Sequence, residues 1–173
     1  GGAGMVLKVE PLHRAIAEAK KRCGAPVALL SPRGRRFDQE IAREMARGEG
    51  ITLICGRYEG VDERVRQYID MDLSIGDMVL SAGDPAAWCM VDSIVRLLPG
   101  VLGNADSIEE ESFSSGGLEY PHYTRPALYE GAAVPEVLLS GNHGAIQQWR
   151  KDQGIKLTRL LRPDLHREES PAK

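Results

Sequence analysis

Three glycine turns lie between residues 55 and 84 and could hold a small ligand mainly through backbone groups. They span 55–60, 74–77 and 80–84, and two of them follow short β-like runs. Because glycine lets backbone amides and carbonyls approach a ligand closely, and ligands of open α/β sheets bind where such turns follow the strands, we expect a ligand site here. Arg57, Tyr58, Glu59 and Asp77 would supply its side chains. The pattern indicates an enzyme or a cofactor-binding protein.

Arg96 and the acidic run from Glu109 to Glu111 could do proton-transfer chemistry. Arg96 lies near the end of a predicted apolar helix, where a half-buried guanidinium needs a partner, and the glutamates follow in a segment without periodicity. A mobile carboxylate near a fixed arginine suits general base catalysis with stabilisation of an anion. A surface ion pair beside an acidic loop is the commoner origin of such residues. Their spacing alone leaves both interpretations open.

Motifs for several other chemistries are absent from the sequence. It contains no dinucleotide-binding GxGxxG loop, no P-loop and no GxSxG elbow for a serine nucleophile. The histidines are isolated and no HExxH motif occurs, so no metal site is predicted. The three cysteines are odd in number and far apart, which argues against a disulfide framework and for a reducing cytosol.

The composition is that of a globular protein with one domain, or with one domain and an appendage. The chain has 173 residues, of which 42% are hydrophobic and 27% charged. A net charge of −3 disfavours a generally nucleic-acid-binding surface, although basic clusters in the N-terminal part could contact phosphates. No apolar run approaches the ~20 residues that span a bilayer, and no secretory signal is found. We expect a cytoplasmic protein with no membrane partner.

Alternating strand and helix patterns predict the elements that position these residues. Strands are expected at 27–30, 51–55 and 72–75, and helices at 11–23, between Asp38 and Gly48, and at 62–68, 85–98 and 142–153. This alternation is typical of a parallel sheet covered by helices on both faces. The helix at 85–98 is nearly all apolar and is expected to be largely buried. Residues 103–137 lack periodicity, and so long an irregular segment is usually functional or mobile.

Six motifs, in this order along the chain, resemble those of one enzyme family. They are LSPRG at 30–34, CGRYEGVDER at 55–64, SIGD at 74–77, PGVLG at 99–103, PHYTRP at 121–126 and LSGNH at 139–143. The match covers nearly the whole chain, to about Leu165, and the set of motifs is highly specific. The chain therefore resembles the bacterial tRNA (guanine-N1)-methyltransferases, which belong to the SPOUT class of knotted methyltransferases.

The resemblance implies a fold, an activity and partners. The fold would be α/β, a parallel sheet with flanking helices and a deep trefoil knot in its C-terminal half, in a homodimer. Residues 1–137 would form the knotted catalytic domain, with an interdomain segment from about 103, and residues 138–173 would begin a helical tRNA-binding domain. The enzyme would move a methyl group from S-adenosyl-L-methionine to N1 of the tRNA guanosine 3′ to the anticodon (guanosine 37). Mg²⁺ is a possible second cofactor.

The matching positions also assign site residues. Those expected to bind the cofactor are Leu29, Leu30, Ser31, Pro32, Gly56, Tyr58, Glu59, Gly60, Ile75, Gly76, Asp77, Met78, Val79, Leu80 and Gly83. Glu111 would be the base that removes the N1 proton, offered by the partner subunit. Arg96 would stabilise negative charge that develops on the guanine ring.

Departures from the family pattern keep two other hypotheses open. Glu111 stands where the family usually has aspartate, Ala82 and Ala86 replace a glycine and a proline, and the family's first strand and helix and most of its C-terminal helical domain have no counterpart in the sequence. One alternative is a ribose 2′-O-methyltransferase of the same class, against which the PHYTRP motif and Glu111 both argue. The other is a catalytically silent protein that binds the cofactor but cannot dock tRNA.

Overall fold

The structure, a computed structural model, describes residues 4–103 and 110–166, with only the backbone described at His166. The chain divides into two compact units, Gly1–Gly103 and Asn104–Lys173. Each unit is described by itself below. None of the helices in the described part of the chain is long and apolar enough to cross a membrane.

A three-stranded parallel sheet forms the centre of the first unit. Its strands are β1 (Val27–Arg36), β2 (Thr52–Cys55) and β3 (Met71–Ser74), and β1 lies between the other two. Leu29 pairs with Ile54 on one side, and Leu30 pairs with Leu73 on the other. Both strand pairs of this sheet are parallel, so the parallel sheet predicted from the alternation of elements is confirmed.

Helices flank the sheet and connect its strands. They are α1 (Val9–Cys23), α2 (Gln39–Ala46), α3 (Asp84–Val95) and a 3₁₀ helix at Glu63–Tyr68. The Asp38 carboxylate caps α2 by accepting a 3.0 Å hydrogen bond from the backbone amide of Ile41. Gly24 ends α1 in a left-handed conformation with φ +62°, which glycine adopts without steric cost. These two boundary signals were readable in the sequence.

The two faces of the sheet have separate apolar cores. On one face, Val27, Leu29 and Ile54 pack with Ile16 of α1 and Val65 of the 3₁₀ helix. The opposite face carries the alternate strand residues and packs against α2 and α3, in a cluster of Ala28, Leu30, Ile41, Ala42, Leu73, Ala86, Met90 and Ile94. Because successive strand residues point to opposite faces, the short buried run at the start of β1 serves both cores.

The prediction that the helix at 85–98 is largely buried was wrong for its outer face. Trp88 of α3 is 75% exposed, and Val91 and Val95 are 41% and 40% exposed. Only one side of α3, including Met90 and Ile94, contacts the core of its own unit. The apolar composition therefore predicted the buried face of α3 correctly, but the opposite face is not covered by the described residues of its own unit.

The pairing of strand β1 with β3 is interrupted between Leu30 and Arg35. Leu30 and Arg35 both pair with Leu73, so the four residues between them bulge out of the ladder. Gly34, at the end of this bulge, lies against β3 so closely that a Cβ would collide with the backbone of Asp72 and Leu73. The sequence-based strand at 27–30 was thus too short, because the chain resumes pairing beyond the bulge.

The described part of the second unit includes a short hairpin and the helices that follow it. The hairpin strands are β4 (Leu128–Tyr129) and β5 (Ala132–Ala133), and α4 (Glu136–Leu139), α5 (His143–Leu161) and a 3₁₀ helix at Pro163–His166 follow. The hairpin was not predicted from the sequence.

Helix α5 continues eight residues beyond its predicted end at Gln153 because Gly154 is a packing residue and not a helix stop. A Cβ at Gly154 would lie 3.0 Å from the backbone oxygen of Leu118. One turn later, buried Thr158 accepts a 2.8 Å hydrogen bond from the amide of Leu118 and donates one of 2.7 Å to the carbonyl of Gly154. The segment before the hairpin is therefore fastened to α5.

Candidate functional site

A cavity of about 440 Å³ opens at the carboxyl edge of the parallel sheet in the first unit. The bulge at 31–33 forms one side, the turn at 56–61 after β2 forms another, and the segment from 74 to 83 after β3 completes it. In open α/β sheets, ligands bind outside the carboxyl ends of the strands. The glycine turns singled out in the sequence therefore meet around one cavity at the edge where a ligand is expected.

The cavity collects the residues that the sequence assigned to the cofactor. Apart from Asp77, every one of those residues lines it, from Leu29 in β1 to Gly83 before α3. Asp77 is exposed and follows Gly76, which does line the cavity. The geometry brings these residues together, and their role in binding a cofactor stays a prediction.

The turn after β2 is held by the segments on either side of it. The amide of Gly83 donates a 2.8 Å hydrogen bond to the carbonyl of Gly56, and the Arg57 guanidinium lies 3.1 Å from the Asp84 carboxylate. On the other side, the amide of Glu59 donates to the carbonyl of Met5 at 3.0 Å. These contacts fix the turn while leaving the Glu59 side chain exposed at the cavity.

Burial raises the pKa of the Cys55 thiol, which precedes this turn, and the nearby Asp84 carboxylate raises it further, while Arg57 acts in the opposite direction. The thiol of Cys55 is therefore held in its neutral form at neutral pH. It is a packing group beside the cavity and a poor nucleophile.

The turn after β3 is closed by its own serine and leaves backbone donors available. Ser74 is buried, and its hydroxyl donates to the carbonyl of Gly76 at 3.0 Å and accepts from the Gly76 amide at 3.2 Å. Within the described residues, the backbone amides of Val79, Leu80 and Ser81 have no hydrogen-bond partner. Since all three residues line the cavity, these amides can donate to the polar edge of a ligand.

Sequence reasoning missed a chain of ion pairs on the cavity wall. The Arg33 guanidinium donates two hydrogen bonds to the Glu63 carboxylate, at 3.0 and 3.3 Å, and Arg66 lies 2.9 Å from the same carboxylate. Arg66 also bonds Asp72 in β3. The hydrogen bond from Arg33 is the main reason that the pKa of Glu63 is lowered. The helical spacing of Glu63 and Arg66 could have indicated their pairing, but not the link to Arg33 thirty residues earlier.

The two predicted catalytic residues belong to different units, and neither lines the cavity. Arg96 is in the first unit, which contains the cavity, and Glu111 is in the second. Arg96 follows α3 at its C-terminal end and is half-buried, and its amide donates to the carbonyl of Asp92 at 3.2 Å. Glu111 belongs to the second unit, where its carbonyl accepts from the amide of Ser114 at 3.1 Å. Glu109 lies outside the described residues. The catalytic roles of Arg96 and Glu111 stay predictions.

Residues 4–103 and 110–166 contain no group of three His, Cys, Asp or Glu side chains arranged to hold a metal ion. Participation of Mg²⁺ in the reaction stays a prediction.

The fold and the cavity define the class of this protein: an α/β protein with a parallel sheet and a cavity at the carboxyl edge of that sheet. Residues 1–168 match the family described as tRNA (Guanine-1)-methyltransferase TrmD. The chain belongs to this family.

Three relatives illustrate the similarity, and each is named tRNA (guanine-N(1)-)-methyltransferase. The protein of Clostridium botulinum (strain Loch Maree / Type A3) is 53% identical over 165 residues, which are 95% of this chain and 69% of the relative. The protein of Geobacter sulfurreducens is 54% identical over 167 residues, with 95% and 68% covered. That of Rhizobium johnstonii is 54% identical over 166 residues, again with 95% and 68% covered.

Proposed function

We propose that this protein transfers the methyl group of S-adenosyl-L-methionine to N1 of the guanosine 3′ to the anticodon of tRNA. One observation carries the proposal. In a chain that belongs to the tRNA (Guanine-1)-methyltransferase family, the three glycine turns meet around a single cavity at the sheet edge. We also place the protein in the cytoplasm, where its substrate would be found.

The cavity fits S-adenosylmethionine in size and chemistry. A volume of about 440 Å³ lies in the range of small-molecule sites, and the wall combines apolar side chains such as Leu30 and Ile75 with the unpaired amides at 79–81. When bound, this cofactor supplies an electrophilic methyl group on a positively charged sulfur. Glu59 is exposed and lines the cavity, and its carboxylate would face that charge or the amino group of the cofactor.

The chemistry at guanine requires a base, because N1 carries a proton at neutral pH and must lose it before it can attack the methyl group. We assign this step to Glu111, with Arg96 stabilising the negative charge left on the ring. Glu111 extends one methylene further than the aspartate usual in the family. Since methyl transfer needs an in-line approach, accurate placement of the guanine would supply much of the rate.

A homodimer would complete the site, and the exposed face of α3 supports this. Trp88, Val91 and Val95 recur at helical spacing and form an apolar stripe that no described residue of the first unit covers. Contiguous apolar surface of this kind commonly marks a protein interface. A second copy of the chain would cover the stripe, and in such a dimer each Glu111 would act at the partner's cavity.

The deep trefoil knot belongs to the same proposal. Its support is the bulge in β1 and the close passage of Gly34 against Asp72 and Leu73, which shows two chain segments packed backbone to backbone beside the cavity. The proposal also assigns residues 138–173 to the start of a tRNA-binding domain. Helix α5 supports this assignment because it carries Arg150, Lys151, Lys156 and Arg159 against the single acid Asp152.

The test is transfer of labelled methyl groups to an unmodified tRNA transcript. A second transcript, with adenosine in place of the guanosine 3′ to the anticodon, is the matched control. Label on the first transcript alone would support the reaction, the substrate and the position together. Equal labelling of both transcripts would refute the assigned position. No labelling of either, with S-adenosylmethionine bound, would mean that the protein binds the cofactor without transferring its methyl group.

A further inference from the structure

The second unit contains its own cavity, of about 830 Å³, lined by aromatic and cationic side chains. We call it the aromatic cavity. The side chains that matter here are Tyr120, His122, Tyr123, Arg125, Trp149 and Arg150. They come from Tyr120 and the adjoining PHYTRP motif at 121–126 and from α5, and none of them belongs to the proposed cofactor site.

One aromatic group of the cavity is fixed by its neighbours. The guanidinium of Arg150 lies 4.6 Å from the centre of the Tyr120 ring, and the Tyr120 hydroxyl donates a 2.8 Å hydrogen bond to the carboxylate of Glu110. Arg150 also approaches this carboxylate, at 3.7 Å. The contact between a cation and the ring face, together with the hydrogen bond, gives this side of the cavity a defined shape.

The other aromatic pair offers a ring face to an incoming ligand. Tyr123 is 47% exposed, and its ring centre lies 6.3 Å from that of Trp149 at an interplanar angle of 55°. The two rings are tilted and do not cover one another's faces. A planar group can therefore stack on Tyr123 with the edge of Trp149 beside it.

The same cavity also contains a cationic side chain, that of Arg125, which could bind an anionic ligand. Arg125 is exposed, and within the described part of the chain no carboxylate pairs with it. Arg150 differs in this respect, because Glu110 offsets its charge. A flat aromatic platform with an available guanidinium matches a nucleotide, whose base stacks and whose phosphate binds arginine.

We propose that the aromatic cavity binds one unstacked nucleotide of the tRNA, with its base on Tyr123 and its phosphate on Arg125. This rests on the proposed function, in that tRNA is taken as the macromolecule that is bound. The cations of α5 extend the positive surface along which the neighbouring backbone would run. A nucleotide is favoured over a protein partner because the exposed Arg125 guanidinium, which has no carboxylate partner among the described residues, suits a phosphate group.

Equilibrium binding of a labelled, unmodified tRNA transcript by the whole protein tests the proposal. The variant Tyr123→Leu removes the ring and keeps apolar volume, and we expect its dissociation constant to rise about 5- to 150-fold, as is typical for the loss of one stacked base. Tyr123→Phe should restore binding. Tyr129→Leu is the control, because Tyr129 is 64% exposed in the hairpin and does not line the cavity. Thermal melting should show all three variants to be folded.

Two further readouts separate stacking and charge from a merely structural role. Arg125→Gln should reduce the slope of log binding constant against log salt by roughly one, because one phosphate contact is lost. Ultraviolet crosslinking of the unaltered protein to the transcript should attach a nucleotide to the peptide that contains Tyr123 or to the one that contains Trp149.

The outcomes distinguish this proposal from the proposed function. If the protein methylates tRNA but Tyr123→Leu binds it as tightly as Tyr129→Leu does, the aromatic cavity is not a nucleotide site. Crosslinks confined to other peptides would lead to the same conclusion. If binding depends on Tyr123 while no methyl group is transferred, the nucleotide site stands and the methyltransferase assignment fails.

Discussion

The backbone amide of Val27 donates a 2.8 Å hydrogen bond to the side-chain carboxylate of Asp70. Val27 is the first residue of the central strand, and Asp70 lies directly before β3. Lys20, in the last turns of α1, lies 3.4 Å from the same carboxylate. Asp70 therefore joins the start of β1 to β3 and to α1, at the opposite end of the sheet from the cofactor cavity.

Replacement of Asp70 should make stability depend less on pH. The hydrogen bond from Val27, aided by Lys20, lowers the pKa of Asp70 in the folded protein. A lowered pKa means that the charged carboxylate stabilises the fold above the unfolded value of about 4, and that this contribution is lost as the pH falls through the folded value. We expect Asp70→Ala to lose about 1 kcal/mol at pH 7, because solvent screens much of the charge.

Denaturant unfolding of Asp70→Ala, Asp70→Asn and the unaltered protein at pH 7 and pH 3 measures this effect. Asn keeps a hydrogen-bond acceptor without the charge, so its stability at pH 7 should lie between those of the other two proteins. The differences should shrink at pH 3. A difference that stays constant from pH 7 to pH 3 would show that the carboxylate charge does not act as described.

Gly83 should not tolerate a side chain. A Cβ at this position would lie 2.8 Å from Cα of Cys55 and 2.9 Å from the amide nitrogen of Gly56, so Gly83→Ala must push the start of α3 away from the end of β2. We expect the affinity for S-adenosylmethionine, measured by calorimetry, to fall at least tenfold. The control is Gly103→Ala, whose Cβ would meet open space. Unchanged cofactor affinity in Gly83→Ala would show that the close packing at Gly83 is not needed for cofactor binding.

The proposed catalytic pair should affect transfer and not cofactor binding. We expect Glu111→Gln to lower the rate of methyl transfer by ~10²- to 10⁴-fold, the usual contribution of a general base, and Arg96→Ala to lower it by ~10²- to 10³-fold. The affinity for S-adenosylmethionine should stay within a few fold in both. Glu136→Gln, an exposed glutamate in α4, is the control. Normal turnover in Glu111→Gln would show that Glu111 is not the base.

A charge on the apolar stripe of α3 should disrupt the proposed dimer. Trp88→Glu places a carboxylate where a partner subunit would bury the indole, and burial of an unpaired charge is costly. Sedimentation should therefore show a dimer for the unaltered protein and a monomer for Trp88→Glu. Val6→Glu, which adds the same charge at a residue 52% exposed outside α3, should remain dimeric. A dimeric Trp88→Glu variant would place the interface elsewhere.

Much of the first unit could be predicted because local signals there agree with tertiary packing. Asp38 and Gly24 mark helix boundaries through their own hydrogen bonds and backbone conformation, and both act as expected. The turns after β2 and β3 follow short apolar strands, so their meeting at one sheet edge was implied by the parallel topology.

Features that depend on distant contacts were not readable in the same way. Arg33 pairs with Glu63 across thirty residues, and Gly154 continues a helix because Leu118 packs against it. The exposure of Trp88 reflects a surface that its own unit does not cover. In each case the local sequence was also compatible with a different local structure. Contacts with residues distant in the sequence, or their absence, determined which structure forms.

The measurement that tests the central claim most directly is the chemical identity of the methylated product. The protein would be incubated with unmodified tRNA and S-adenosylmethionine carrying a deuterated methyl group, and the tRNA would be digested to nucleosides for mass spectrometry. We predict a single labelled product, 1-methylguanosine. Labelled 2′-O-methylguanosine, or any labelled nucleoside other than 1-methylguanosine, would contradict the claim that this site methylates N1 of guanine.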